Sequence, residues 1–410
     1  MKPPITELRI SLDFGPQRQA VGRLAIRNHI IYFEYANEFI QKGIEISPFR
    51  LPLQRGVIEL PQRPFEGLAG VFSDSLPDGW GRLLFDRLLR SQGILPASQS
   101  PLDRLAHVGL SGMGALAYEP DNSPLDNQEV IDLDSLASQT EEVLQGSSEE
   151  IIEELLALNG SSAGARPKAL IALTANLDQI TYGVNKFNEG LEPWLVKFSN
   201  SLDGYDAGAV EYVYALMAKA AGVVMPEVHL FSSQKGSGYF GVKRFDRNGD
   251  KALHMHTASG LLHSDFRTPS LDYEDLLNLT AALTKDIREV EKMYRLAVFN
   301  VLAHNRDDHG KNFSFLMDEN GDWKLAPGYD LTFSSGPRGE QSTMVMGEGR
   351  NPKISHLVKL GEGSKLNRKL IDEIIDQTKD SLIQWTGLAQ NYNITKANIK
   401  LITNAINGSK

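Results

Sequence analysis

The chain has 410 residues, 41% apolar and 23% charged, with a formal net charge of -10 and no cysteine. That length corresponds to two or three domains of about 150 residues each, with enough apolar content for a sizeable core. Disulfides and thiolate metal sites are excluded and a reducing compartment fits. The acidic balance argues against a stand-alone, non-specific DNA binder.

The first residues, MKPPITELRISLDFG, contain no apolar core long enough for a secretory signal. No run reaches the roughly 18 consecutive apolar residues of a membrane span, so the expected location is the cytoplasm, away from membranes. Residues 5–60 alternate in short stretches such as ELRISLDF, GRLAIR and IIYFEYA, separated by Gly, Pro, Asn and Gln, and predict a small β-rich unit. Residues 75–94, SLPDGWGRLLFDRLLRSQGI, switch to helical spacing, with Leu83, Leu84, Leu88 and Leu89 near one face and Gly93 just past the end. Residues 119–145 are polar and acidic and read as a connector. In SSEEIIEELLALNG, Ser147 and Glu150 form a potential capping box, and Gly160 ends an apolar face of Ile151, Ile152, Leu155, Leu156 and Leu158.

A glycine-rich GSSAGARPKALIALTA follows, then a strand-like PWLVKFS, an amphipathic helix over about 207–221, and strand-like VHLFSS and YFGVKRFD. From about residue 270 helical patterns dominate: DYEDLLNLTAALT, REVEKMYRLAVFNVLAH and NRKLIDEIIDQTKDSLIQW. A β-rich first part and a helical second part suggest two lobes with a cleft between them.

The densest chemistry lies in HNRDDHGKNFSFL, residues 304–316. Such a polar knot is costly to hold in a fold unless it binds something. Asp307 and Asn312 stand in an Asp-x-x-x-x-Asn spacing, which in kinase catalytic loops joins a proton-accepting carboxylate to a metal-holding amide. The next residues read as a hairpin through the DENG turn and deliver Tyr329 and Asp330 after Pro327-Gly328. A second carboxylate returning beside the first suits Mg²⁺, which prefers hard oxygen ligands. The alternative is a Zn²⁺ or Mn²⁺ site built from His304, His309 and either Asp307 or Asp308. His254 and His256 are as readily a structural or solvated pair.

Lys197 closes an apolar strand, and Glu211 lies early in the following helix, where it could orient the lysine. A surface lysine at a strand end is the plain alternative. Between Gly160 and Lys168, small residues would let backbone N–H groups approach phosphate oxygens, with Arg166 and Lys168 adding positive charge. A helix cap followed by a loop explains these glycines equally well. Gly109-Leu-Ser-Gly-Met-Gly114 fits neither a dinucleotide fingerprint nor a nucleophile elbow. Residues 347–363 read as a loop segment.

Taken in order, SLPDGWGRLLFDR, GLSGMGALAY, GSSAGARPKA, WLVKF, VKRFDR, DDHGKNFSFL and APGYD resemble the HipA family of serine/threonine kinases, the toxins of bacterial toxin–antitoxin modules. The resemblance implies an α+β, two-lobed protein-kinase-like fold. It would have a β-rich N-terminal lobe with an added N-terminal subdomain, and an all-helical C-terminal lobe. The implied divisions are 1–120, a β-rich subdomain with a helix; 121–246, the rest of the N-lobe; and 247–410, the C-lobe with the catalytic loop.

By the same resemblance the cofactors are ATP and Mg²⁺, Asp307 is the catalytic base, and Asn312 and Asp330 are the metal ligands. Lys197 contacts the ATP phosphates. Ala163, Gly164, Ala165, Arg166, Pro167 and Lys168 form the phosphate loop. Lys243, Arg244 and Phe245 line the adenine site, and His309, Gly310, Lys311 and Tyr329 contribute further nucleotide contacts. Autophosphorylation of a loop serine, aligned with Ser161 or its neighbour Ser162, would shut the kinase off. Lys243 departs from the glutamate of better-known members.

The implied partners are a protein substrate (an aminoacyl-tRNA synthetase in one branch), a HipB-like helix-turn-helix antitoxin, and DNA mainly through that antitoxin. A non-catalytic pseudokinase acting as co-repressor, and a small-molecule kinase of the aminoglycoside-phosphorylating type, are the competing readings. The intact Asp307, Asn312, Asp330 and Lys197 set argues against the first. The N-terminal β unit and GSSAGARPKA argue against the second.

Overall fold

A computed structural model of the chain describes residues 4–15, 18–123, 132–146, 155–156, 158, 164–177, 180–182, 190–200, 204–249, 251–268 and 270–408. The N-terminal part builds an antiparallel five-stranded sheet from β1 (Glu7–Asp13), β2 (Arg18–Arg27), β3 (Ile30–Tyr35), β4 (Val57–Glu59) and β5 (Leu116–Glu119), in the order β4-β3-β2-β1-β5. Alternation does the work: Leu8, Ile10 and Leu12 point to one side of β1 and are buried, together with Leu24, Phe33 and Phe72.

The helix Gly79–Ser91 lies over a second core, which contains Trp80, Leu84, Phe85 and Trp194. Leu155, Leu156 and Leu158 are buried in that same core, while Ser147, Glu150 and Gly160 lie outside the described residues.

The second five-stranded sheet comprises β6 (Lys168–Thr174), β7 (Ile180–Tyr182), β8 (Leu191–Lys197), β9 (Val228–Phe231) and β10 (Tyr239–Lys243), in the order β7-β6-β8-β10-β9. Against it packs the helix Ala207–Ala220. The acidic connector is more structured than its polarity suggested. Asp132 caps a helix, Leu133–Gln145, by accepting from the Asp134 and Ser135 amides, and Leu133, Leu136 and Val143 give it a buried stripe.

The C-terminal half is mainly helical, with Tyr273–Thr284, Ile287–Leu302 and Arg368–Ile383 around one large apolar core. The expectation of an all-helical lobe is corrected by a three-stranded sheet of β11 (His254–Thr257), β12 (Ser314–Met317) and β13 (Trp323–Leu325). The DENG turn between β12 and β13 forms the hairpin read from the sequence. Residues 347–363 are likewise not one loop, because Ile354–Gly363 is a helix burying Leu357 and Leu360.

Candidate active site

Lys197 ends β8, with Lys168 of β6 and Phe240 of β10 as its cross-strand partners. Its ammonium lies 2.5 Å from Glu211 Oε1 and 2.5 Å from Asp330 Oδ1. Glu211 reaches it because the helix Ala207–Ala220 approaches the sheet closely at Gly208. A Cβ there would lie 3.1 Å from the Phe240 nitrogen and closer still to the Gly238 carbonyl. Arg166 adds a contact of 3.5 Å to the other Glu211 oxygen.

Burial tends to raise the Asp330 pKa, but Lys197 and then Lys168 outweigh it and hold the carboxyl well below the usual range. For Lys197, burial works against the charge and Asp330 and Glu211 overcome it, so its pKa is raised. Burial, with Lys197 next, pulls Lys168 down to about 8. The Asp330 backbone takes φ +56°, a left-handed conformation in which an aspartate is less strained than most residues.

The polar knot forms the turn facing this cluster from the C-terminal half. Asn312 Nδ2 donates to the Asp307 carbonyl at 2.7 Å. The Asp307 side chain is 58% exposed, with His309 Nε2 at 3.9 Å. Tyr329 donates to the Lys311 carbonyl at 2.6 Å and pairs with Ser314 Oγ at 2.6 Å, tying the hairpin exit to the turn. Gly310 is buried against Leu271 and Ser259.

Asp308 does not behave as the silent neighbour a control mutation requires. It is fully buried. Its carboxylate accepts from Tyr273 Oη (2.7 Å), Gln341 Nε2 (2.9 Å) and the amides of Ser342 (2.9 Å) and Thr343 (3.2 Å). It is a strut under the turn.

The other sequence-derived positions divide. The Phe245 ring lies 5.3 Å from that of Tyr329, giving an apolar wall beside the cluster. Lys243 pairs with Glu192 at 2.6 Å. The Arg244 guanidinium is turned away from the cluster. It is buried, binds Asp246 at 2.7 Å and approaches the Gly112 carbonyl, so it braces the glycine run rejected above. Ser161, Ser162 and Ala163 lie outside the described residues.

The zinc alternative finds no ligand set: among the described residues no group of three His, Cys, Asp or Glu side chains could hold a metal ion. His254 is buried against the Ile46 carbonyl, and His304 stacks on Phe333. The oxygen donors of Asn312 and Asp330 fit Mg²⁺, which keeps water and phosphate oxygens as further ligands.

Sequence reading left Asp78 and Asp74 without roles. Asp78 accepts from the Gly164 amide and from Lys311 Nζ. Asp74 accepts from His256 Nδ1 (2.6 Å), the Thr257 amide (2.7 Å) and Thr257 Oγ1 (2.8 Å). Their partners lie far along the chain, so only the SLPDGWG motif could have pointed to Asp78, and no local pattern marks Asp74, which precedes that motif.

A mixed α+β fold with a paired lysine, a carboxylate-bearing turn and a second carboxylate at a hairpin exit defines a kinase-like protein. Residues 160–386 match the HipA-like C-terminal domain and residues 15–119 the HipA N-terminal domain; the chain belongs to the HipA family. It is 24% identical to "Putative kinase Y4mE" of Sinorhizobium fredii, over 84% of either chain. It is 25% identical to the serine/threonine-protein kinase toxin HipA of Shewanella oneidensis, over 72% of this chain and 68% of that one. In the solved complex of Shewanella oneidensis HipA with HipB and operator DNA, the matched chain has the same fold, with a TM-score of 0.67. Identity there is 18%, and the match covers 98% of this chain and 95% of that one. No helix among the described residues is long and apolar enough to cross a membrane.

Proposed function

We propose that the chain is an ATP-dependent protein serine/threonine kinase, a cytoplasmic toxin restrained by a HipB-like helix-turn-helix antitoxin. The reading is carried by Lys197, shared between Glu211 and Asp330 beside a turn that leaves the Asp307 carboxylate in solvent. In this reading a substrate serine hydroxyl gives its proton to Asp307 as its oxygen bonds to the γ-phosphorus. The bond to the bridging oxygen breaks, and ADP leaves with that electron pair.

Lys197, Arg166 and Lys168 would offset the phosphate charge, and the backbone amides from Gly164 onward would face the phosphates. Phe245 and Tyr329 wall the adenine. Asn312 and Asp330 would hold Mg²⁺, which when bound would supply charge to neutralise the transferring group. Catalysis here is mainly positioning, which suits a site whose cations and carboxylates are already ordered.

Phosphorylation of Ser161 or Ser162 would add about -1.5 to -2 charges to a loop that must lie against ATP, and so oppose its binding. The antitoxin complex of the Shewanella oneidensis relative supports a partner that carries the DNA contacts for an acidic chain. The test is phosphate transfer from labelled ATP with Mg²⁺. Asp307→Gln abolishes incorporation while the circular dichroism spectrum stays that of the wild type; label retained in that variant removes Asp307 as the base. Mass spectrometry of the wild type finds the phosphate on Ser161 or Ser162, and phosphate found only elsewhere removes the self-inactivation.

A further inference from the structure

The SLPDGWG segment belongs to the N-terminal part of the chain, yet it reaches both halves of the candidate active site. Asp78 Oδ1 accepts from the Gly164 amide, and its Oδ2 from Lys311 Nζ at 2.7 Å. Two residues on, the Trp80 amide donates to the Gly164 carbonyl at 3.0 Å. One residue of the glycine-rich loop is therefore held by both of its backbone polar groups. Between these bonds Gly79, at φ +44°, lies flat on the loop: a Cβ there would stand 2.6 Å from Ala165 Cα and 2.7 Å from the Gly164 carbonyl carbon. Lys311 is fixed from its other sides by the Phe266 ring, 4.7 Å from Nζ, and by Tyr329 on its carbonyl.

We infer that Asp78 is a positioning residue for nucleotide binding, a latch through which the N-terminal subdomain holds the glycine-rich loop against the turn bearing Asp307 and Asn312. This rests on the kinase reading above. Asp78 itself is largely buried behind the loop. It acts by fixing where the loop N–H groups and Lys311 stand. Burial disfavours its charge, but Lys311 outweighs this and keeps the carboxyl ionised, with the Gly164 N–H adding to the effect. A charged carboxylate accepting from both an ammonium and an amide makes stronger bonds than a neutral acceptor. Loop placement thus depends on that charge as well as on shape.

The test is steady-state ATP turnover of the full chain, with KM and kcat resolved and thermal midpoints recorded. Asp78→Asn keeps an acceptor but removes the charge. It is expected to raise KM for ATP about tenfold, the loss of one charge-assisted hydrogen bond, with kcat within about twofold of wild type.

Gly79→Ala attacks the same contact without touching Lys311 and raises KM likewise, which keeps the inference testable if Asp78→Asn does not fold. In a cycle with Lys311→Met, the double variant is no worse in KM than the poorer single one, because both act through one contact. Additive losses would mean that Asp78 and Lys311 act on nucleotide binding independently of their mutual contact and would overturn the latch. So would a lowered thermal midpoint with KM unchanged, the mark of a merely structural carboxylate. A wild-type chain that neither binds nor consumes ATP overturns the kinase reading and the latch with it. An active wild type with an indifferent Asp78→Asn removes the latch alone.

Discussion

Neighbours in the turn, Asp307 and Asp308, meet opposite surroundings: Asp307 meets solvent while Asp308 meets Tyr273, Gln341 and two amides. Truncating Asp308 strands buried donors, and Asp308→Ala is expected to lose at least about 2 kcal/mol of stability in urea unfolding. Asp307→Ala, at an exposed position, should leave the urea midpoint within about 0.5 kcal/mol of wild type. Residue types and spacing made Asp307, Asn312, Asp330 and Lys197 legible. They could not separate Asp307 from Asp308, because burial is set by residues 341–343, which no local pattern connects to the turn.

Lys168 carries the pH prediction. Its pKa of about 8, below the usual 10.5, means that the unfolded chain binds the proton more tightly between those values, so the lysine's contribution to stability improves as pH rises from 8 towards 10.5. Binding runs the other way. Above about pH 8 the free protein loses a positive charge beside Lys197, and kcat/KM for ATP falls. In Lys168→Met that limb of the pH profile is expected to vanish; a limb of unchanged midpoint would assign the titration to another group.

At the scale of elements, the helix Ala207–Ala220 shows how packing sets chemistry. Gly208 lets the helix sit on the sheet at the depth that brings Glu211 to Lys197. Gly208→Ala forces the two apart. It should cost about 1–3 kcal/mol by overpacking, read as a lower thermal midpoint, and weaken ATP binding as Glu211 moves away.

The β12–β13 hairpin, the long helices, strands β1–β3 and strands β8–β10 follow patterns with strong periodicity or clear turn residues, and they are read easily, whereas β5 and β6 hide in glycine-rich stretches. The helices Leu133–Gln145 and Ile354–Gly363 are not, for opposite reasons. The first hides a narrow apolar stripe among acidic residues. The second sits in a glycine-rich stretch that resembles a loop until its leucines find the C-terminal core.

At the scale of the whole molecule, the N-terminal sheet is fastened to the C-terminal half by buried polar groups as well as apolar contact. His256 bonds Asp74 through Nδ1 and shares a hydrogen bond with Ser47 Oγ through Nε2 at 3.0 Å, while the Gly70 amide donates to His263. Despite its Ser–His–Asp order, this trio is sealed in the interior, with Ser47 and His256 both buried, and it serves as a joint. Removing one member leaves the others unpaired away from water. Asp74→Ala is expected to cost roughly 3–5 kcal/mol and to melt in two calorimetric transitions where the wild type is expected to melt in one. A single transition at an unchanged midpoint would show that the joint contributes nothing. The two halves are visible in sequence as a change of pattern. The joint between them is not, because its donors and acceptors lie 182 to 209 residues apart.

The same separations order events in time. Asp78 and Lys311 are 233 residues apart, and at a synthesis rate of about 5–20 residues per second the first waits roughly 12–47 s for the second to leave the ribosome. Through that interval the glycine-rich loop lacks its far anchor, and Asp330 has not yet been made to meet Lys197. The candidate active site is therefore incomplete until the residues through Asp330 have left the ribosome, so Asp78 does not meet Lys311, nor Lys197 meet Asp330, before the second half of the chain has emerged.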